Sequence, residues 1–152
     1  MVDINIVNFL TGARLVKDLY LGDTEAAVVA NLGNPTAEEI YKSSTRKFLH
    51  YKNVRISINN GNLDGIDIFF MKDNSSYKLD SSISSEISSI SRHTSLPEFL
   101  LLCQELNQEY RFDLVSDEDY FKIIINSKVL VVYYLLTGEL ERISNWGGYG
   151  LP

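Results

Sequence analysis

The middle of the chain alternates between apolar and polar side chains in the way that predicts half-buried β-strands. Every second residue of the range 54–58 is apolar, and stretches at 48–51 and 63–70 that are also predicted as strands flank it. The connections at 52–53 (Lys-Asn) and 59–62 (Asn-Asn-Gly-Asn) tolerate the positive φ angles of tight turns. The segment therefore predicts three consecutive antiparallel strands.

A short helix is predicted before these strands. Asp23 or Thr24 can accept hydrogen bonds from the first free backbone N–H groups of a helix. The apolar run 26–32 follows, Gly33 supplies the left-handed residue that closes such a helix, and Pro35 prevents its continuation. The organising unit is thus a helix, a polar connection and a three-stranded meander.

The same order recurs in the second half of the chain. A helix start is predicted at Ser95, Pro97 and Glu98. In such a start the serine side chain accepts from the backbone N–H of the glutamate, and the glutamate side chain accepts from the backbone N–H of the serine. Its apolar face extends through Phe99, Leu102, Cys103, Leu106 and Tyr110. Strands are then predicted at 121–125, 129–136 and 139–144, preceded by a short one at 112–115 and separated by turns at 126–128 and 137–138.

The repeated order predicts an internal duplication within one domain. The fold class is α+β: an antiparallel sheet from two helix-plus-three-strand meander units, with helices packed on one face. The halves span about 1–74 and 92–146. Residues 129–136, apolar throughout, are predicted as the central strand where the halves join. The connection 75–91 is serine-rich with isoleucines at helical spacing, so that helix and loop are equal alternatives.

Several residues of the first unit carry a family resemblance. The order Gly22-Asp23-Thr24, Val28, Leu32-Gly33-Asn34-Pro35 and then aromatic strands resembles the small α+β fold of β-lactamase-inhibitor proteins and small outer-membrane assembly lipoproteins. It is also similar to bacterial proteins that accompany polymorphic toxins as immunity proteins. The resemblance covers roughly residues 20–70. The only cysteine, Cys103, lies mid-chain, and no lipoprotein signal is present. The resemblance therefore implies the fold and a protein-binding role rather than a role in the cell envelope.

Charge and cysteine usage narrow the classes of function. The 152 residues carry a net charge of −6, which argues against nucleic acid as a partner and permits a basic protein partner. A single cysteine cannot form an internal disulfide, so a reducing cytoplasm is expected. Residues 1–10 lack the basic region of a signal peptide, and no apolar run is long enough to cross a membrane.

No catalytic constellation stands out in the sequence. His50 and His93 lack a neighbouring group spaced to orient a general base, and they do not form a metal site. Cys103 lies on the apolar helix face, where cysteine serves as a small hydrophobe. We therefore expect no cofactor, no metal and no enzymatic activity.

Two candidate partner-binding groups remain. The acidic group consists of Asp113 and the run of three acids at 117–119. It is either a docking patch for a basic surface or a solvated loop between two strands, and the loop is the more common role of such runs. The C-terminal aromatic residues are either anchors of a protein interface or a tail that folds back over the sheet. The predicted partner-binding residues are Asp113, Asp117, Glu118, Asp119, Trp146 and Tyr149.

These observations lead to three hypotheses of function. The first is a non-enzymatic protein-binding module, most concretely a bacterial immunity protein that neutralises a cognate toxin by occluding its basic cleft. The second is a small-molecule-binding or enzymatic domain, which a deep pocket at His50 with a carboxylate in reach would favour. The third is a structural subunit of a larger assembly, signalled by a large exposed apolar patch. The sequence does not predict the oligomeric state.

Overall fold

Ten strands and three helices make up the part of the chain that the structure describes. The computed structural model describes residues 4–12, 18–42, 44–71, 75–79, 82–83, 87–113 and 119–147. The helices are α1 (Ile6–Thr11), α2 (Glu25–Leu32) and α3 (Leu96–Glu105). The strands are β1 (Ala37–Ile40), β2 (Arg46–Tyr51), β3 (Val54–Asn59), β4 (Asn62–Phe69), β5 (Ser76–Lys78), β6 (Ser89–Ser91), β7 (Tyr110–Phe112), β8 (Tyr120–Ile125), β9 (Val129–Tyr134) and β10 (Leu140–Asn145). The described fold is therefore mainly β.

Eight strands form one antiparallel sheet whose order mirrors itself about its centre. The order is β1-β2-β3-β4-β10-β9-β8-β7, so that each half of the chain contributes four neighbouring strands. The halves meet where β4 pairs with β10, with Asp67 opposite Ser144 and Ile68 opposite Ile143. This strand pair is called the seam below. The predicted antiparallel sheet is confirmed, whereas α+β describes it only roughly because strands dominate.

The two halves do not join at the strand that the sequence predicted. The apolar run 129–136 was expected to join the halves, but β9 lies one strand away from the seam, between β8 and β10. It also ends at Tyr134, and Leu136 is 97% exposed in the following turn. Apolar content identified a strand buried on both faces, and it did not identify which strand pairs across the halves.

The helices lie against one face of the sheet. Side chains such as Ile56, Ile66 and Ile143 project from this face and form one apolar cluster with Phe9, Val28, Phe99 and other helical residues. This face is called the core face. Buried apolar residues of the opposite face, among them Phe48 and Val132, are not members of that cluster. The opposite face is called the open face.

Local sequence signals set the helix ends. Thr24 caps α2, its Oγ1 accepting from Ala27 N at 3.2 Å, and Gly33 follows the helix with φ +82°. Ser95 and Glu98 form the predicted capping box of α3. The predicted extension of α3 through Tyr110 is wrong, because the helix ends at Glu105 and Tyr110 begins β7. No described helix is long and apolar enough to cross a membrane.

Two further predictions are corrected. The serine-rich connection 75–91 contains neither a described helix nor only a loop: β5 and β6 form a hairpin whose Tyr77 and Ile90 enter the core. The polar connection before β2 contains β1, in which every residue is exposed. An edge strand exposed along its whole length has no apolar alternation, so the pattern that predicts strands is absent from it.

Candidate functional site

The open face carries a concentration of arginine and aromatic side chains around the seam. Strand register assigns its members, since directly opposed residues of an antiparallel pair project to the same face. Phe48 lies opposite Ser57, Arg55 opposite Asp67, and Asp67 opposite Ser144. Arg142 lies opposite Phe69 and Val132. The open face thus combines residues from both halves of the chain.

Trp146 lies flat on the sheet immediately after β10. Its indole ring occupies the space above Gly65, where a Cβ would come within 2.7 Å of the indole Cε2. The Phe48 ring is 6.0 Å away, centroid to centroid, and the Arg46 guanidinium stacks 4.8 Å from the indole centroid. The tail therefore folds back over the sheet as far as Trp146, whose side chain stays half-buried.

The buried carboxylate of Asp67 holds this arrangement together. Asp67 is 2% exposed, and its Oδ2 accepts from Arg55 Nε at 2.8 Å and Nη2 at 2.7 Å. Its Oδ1 accepts from Ser144 Oγ at 2.5 Å and from Trp146 Nε1 at 2.9 Å. Two of these partners come from the other half of the chain. Because a buried charge must be fully hydrogen-bonded to be tolerated, this set fixes the orientation of the indole.

Arginines stack on the aromatic rings of the open face. The Arg55 guanidinium lies 4.6 Å from the Phe48 centroid and 5.2 Å from that of Phe69. Arg46 forms an ion pair with Asp64 at 2.8 Å while it stacks on Trp146. Each stacked cation is also paired with a carboxylate, so the open face around Trp146 is rich in charge but close to balanced.

A shallow cavity opens beside the indole. Its volume is 240 Å³, and it is lined by Arg55, Asp67, Leu130, Arg142, Ser144 and Trp146. The cavity is smaller than the roughly 300–1,000 Å³ typical of small-molecule sites. It has the size of a side chain rather than of a substrate.

Next to this cavity, Glu141 and Arg142 form an incomplete ion pair. Arg142 Nε lies 3.7 Å from Glu141 Oε2, and neither atom has a hydrogen-bond partner among the described residues. Burial raises the pKa of the Glu141 carboxyl, Asp67 raises it further, and the guanidinium of Arg142 opposes the shift. Arg142 and Glu141 therefore attract each other electrostatically without a hydrogen bond between these two atoms.

The structure separates the two groups of predicted partner-binding residues. Asp113 follows β7, where its N–H donates to Lys122 O, and Asp119 precedes β8, where its carbonyl accepts from Leu135 N. The start of β8 lies beside the end of β9, whereas Trp146 follows the end of β10 beside the start of β9. The described acids and Trp146 thus lie at opposite ends of the strands. Asp117, Glu118 and Tyr149 lie outside the described residues.

The residues considered for catalysis lie elsewhere. His50 projects from the open face of β2, and its Nε2 is 3.2 Å from Glu39 Oε1 without hydrogen-bond geometry. Cys103 is buried, and burial raises the pKa of its thiol to about 12. In the part of the chain that the structure describes, no group of three or more His, Cys, Asp or Glu residues could hold a metal ion.

Sequence reasoning missed the central residues of the open face. Asp67 places a charge among the apolar residues of its strand, whereas Arg55 and Arg142 occupy polar positions that do not stand out in the sequence. Their assembly depends on the pairing of β4 with β10, whose residues lie more than seventy positions apart, for example Asp67 and Ser144. No local pattern encodes that pairing.

Comparison with known proteins adds no relative. No protein-family model matches the chain, and no curated protein or solved structure matches it. The resemblance of residues 20–70 to inhibitor and immunity proteins therefore stays a prediction. The function has to be inferred from the geometry of the open face.

Proposed function

We propose that the protein is a non-enzymatic protein-binding module whose partner docks on the open face around Trp146. In its most concrete form, the protein is an immunity protein that neutralises a toxin by occlusion. The observation that carries the proposal is the seating of Trp146 over Gly65 between Arg46 and Phe48. Tryptophan and arginine are the residue types that most often dominate the binding energy of protein interfaces.

Preorganisation supports this surface as a binding site. The hydrogen bond from Trp146 Nε1 to Asp67 and the stacking of Arg46 hold side chains that would otherwise lose rotamer freedom on binding. Association of a preorganised surface loses less conformational entropy than association of a mobile one. The small cavity beside the indole fits an inserted partner side chain better than a substrate.

The distribution of charge refines the predicted mechanism. The chain carries −6 overall, yet the open face around Trp146 pairs each arginine with a nearby carboxylate. The surplus of acids therefore lies outside this surface, and Glu38 on the exposed edge strand β1 is one example. On this proposal the acids accelerate the approach of a basic partner, and the aromatic and arginine side chains make the close contacts.

The test is co-purification with the product of the neighbouring gene, followed by affinity measurements on two variants. Trp146→Ala should weaken binding at least tenfold, since hot-spot truncations cost about 2 kcal/mol or more. Tyr20→Ala is the matched control, because Tyr20 is an aromatic residue 47% exposed in the segment before α2. Equal affinities for both variants and the unmodified protein would exclude the open face as the docking surface.

His50 favours one alternative. The Glu39 carboxylate lies 3.2 Å from His50 Nε2. A general base requires a neighbouring group of this kind, so a small-molecule-binding or enzymatic domain is the second candidate. His50 does not line the cavity beside Trp146. A ligand that perturbs the NMR signals of His50, and fails to do so in the Glu39→Gln variant, would support this candidate over the first.

A further inference from the structure

The cavity beside Trp146 has one wall of positive charge and two apolar walls. Arg142 supplies the charge, while Leu130 and the indole of Trp146 supply the apolar surface. Arg55 also reaches the cavity, but both of its hydrogen bonds are directed to Asp67. The two arginines therefore differ: Arg55 is committed to the fold, and Arg142 is not.

Arg142 is left with unused hydrogen-bonding capacity. Its Nε is screened from solvent and has no hydrogen-bond partner within the described ranges, and Glu141 approaches only to 3.7 Å. A guanidinium presents paired N–H donors in a planar fork that matches the two oxygens of a carboxylate. Because Arg142 Nε is screened from solvent, an incoming carboxylate would bind through the rest of the guanidinium, whose side chain is 30% exposed.

We propose that the cavity binds one acidic side chain of the docking partner, with its carboxylate on Arg142 and its methylene groups against Leu130 and Trp146. This inference rests on the proposed docking surface and assigns its central contact. The partner is then a protein whose long-range field is basic but which presents an Asp or Glu at the centre of its interface.

The charges around the cavity favour a singly charged anion over phosphate. Asp67 and Glu141 lie on the same side of the sheet as the two arginines, so little net positive charge remains. A dianion would meet repulsion from these carboxylates that a monoanion meets to a smaller extent. The planar carboxylate also matches the planar guanidinium of Arg142, whereas a phosphate normally recruits several cations.

Glu141 competes with the incoming carboxylate for Arg142. The positive charge of Arg142 partly offsets the raised pKa of Glu141. When the ligand binds to Arg142, Glu141 loses part of this attraction. Removal of the charge of Glu141 should therefore strengthen ligand binding, and removal of the charge of Arg142 should abolish it. The two neighbouring residues give changes of opposite sign.

Trp146 is the only tryptophan of the chain and lines the cavity, so its fluorescence reports binding directly. Sodium propionate, a small carboxylate, is titrated at constant ionic strength, with propionamide, sodium chloride and sodium phosphate as comparisons. Propionate should produce a saturable change that propionamide and chloride do not produce. No saturable change with propionate, or tighter binding of phosphate, would overturn the proposal.

The variants sharpen this test. Arg142→Gln should weaken propionate binding at least tenfold, and Glu141→Gln should strengthen it. Arg92→Gln is the matched control, since Arg92 is 32% exposed at its side chain with a 3.6 Å ion pair to Glu139, against 30% and 3.7 Å for Arg142. Unchanged binding in Arg142→Gln contradicts the proposal. If that variant unfolds, the effect of Glu141→Gln decides alone.

The two proposals fail in distinguishable ways. Propionate binding needs no partner protein, so its loss overturns the carboxylate site whatever the partner does. If propionate binds and the Trp146→Ala variant still binds the partner with unaltered affinity, the carboxylate site is retained and the docking surface is rejected.

Discussion

The two faces of the sheet are built from the same strands and follow different rules. On the core face, Ile56, Ile66 and Ile68 are fully buried, and they belong to one continuous apolar cluster with the helices. On the open face, the alternate positions hold Arg55, Asp67 and their hydrogen-bonded neighbours. Burial on the core face follows from packing alone, whereas burial of Asp67 requires specific partners.

The difference shows that the two faces of one sheet can be stabilised by different kinds of interaction. The core face gains stability from non-directional burial, so each apolar position tolerates others of similar size. The open face depends on hydrogen bonds that work only at defined distances and angles. Its side chains are held in place by the seam, where Asp67 is buried while Arg142 and Trp146 stay partly exposed.

Two adjacent phenylalanines provide the strongest test of this contrast. Phe70 is fully buried in the core, and Phe69 is half-buried on the open face beside Arg55. Phe70→Ala should lower the free energy of unfolding by about 3–5 kcal/mol, because it leaves a cavity in the core. Phe69→Ala should lower it by about 1–2 kcal/mol, since less apolar surface is lost. Urea unfolding of both variants measures the difference; equal losses would contradict the contrast between the faces.

Gly65 tests how Trp146 is seated. A Cβ at this position would overlap the indole ring, so Gly65→Ala should displace the ring and cost about 1–3 kcal/mol of stability. The displaced indole should become more exposed, with a red-shifted fluorescence emission. In a Trp146→Ala background the same substitution should cost much less, because the overlapping group is absent. Additive losses in the double variant would show that the ring is not the obstacle.

The buried thiol of Cys103 makes the stability of the core face depend on pH. Burial raises the pKa of its thiol from 9.0 to about 12 in the folded protein, so the neutral thiol is favoured by folding. The contribution is fully present below pH 9 and is lost as the pH rises from there towards the folded pKa. The largest slope for one such proton is about 1.4 kcal/mol per pH unit.

The matched measurement compares the unmodified protein with Cys103→Ala by urea unfolding between pH 8 and pH 11. The stability difference between the two proteins should move in favour of the alanine variant as the pH rises above 9. A constant difference would show that the thiol titrates alike in the folded and unfolded states. A thiol reagent should also leave Cys103 unmodified in the native protein at neutral pH, because little thiolate is present.

Local sequence signals predicted much of the fold. The alternation at 54–58, the Ser95–Glu98 capping box and the glycine after α2 each correspond to an observed element. The turn with Asn60 at φ +53° and Gly61 at φ +80° is the tight hairpin that its sequence predicts. The exposed strand β1 was missed because it carries no apolar period. The serine-rich hairpin was missed because the isoleucines of its segment recur at helical spacing.

The candidate site was predicted only in part. Trp146 was selected because tryptophan is frequent at interfaces, and its indole lies on the open face over Gly65. The acids chosen with it, as far as they are described, lie at the other end of the strands. Charge density along the chain identified exposed acids, but it carried no information about distance in the folded sheet.

The sequence by itself determined the longer strands of both halves, the tight turns between them and the capped starts of α2 and α3. These features depend on residues close together in the chain, where spacing fixes geometry. Tertiary structure alone decided that β4 pairs with β10, and hence that Asp67 meets Ser144 and Trp146 from the other half. The physical reason is that pairing across the seam depends on the combined packing of both halves, so the cavity at Arg142 exists only once they have joined.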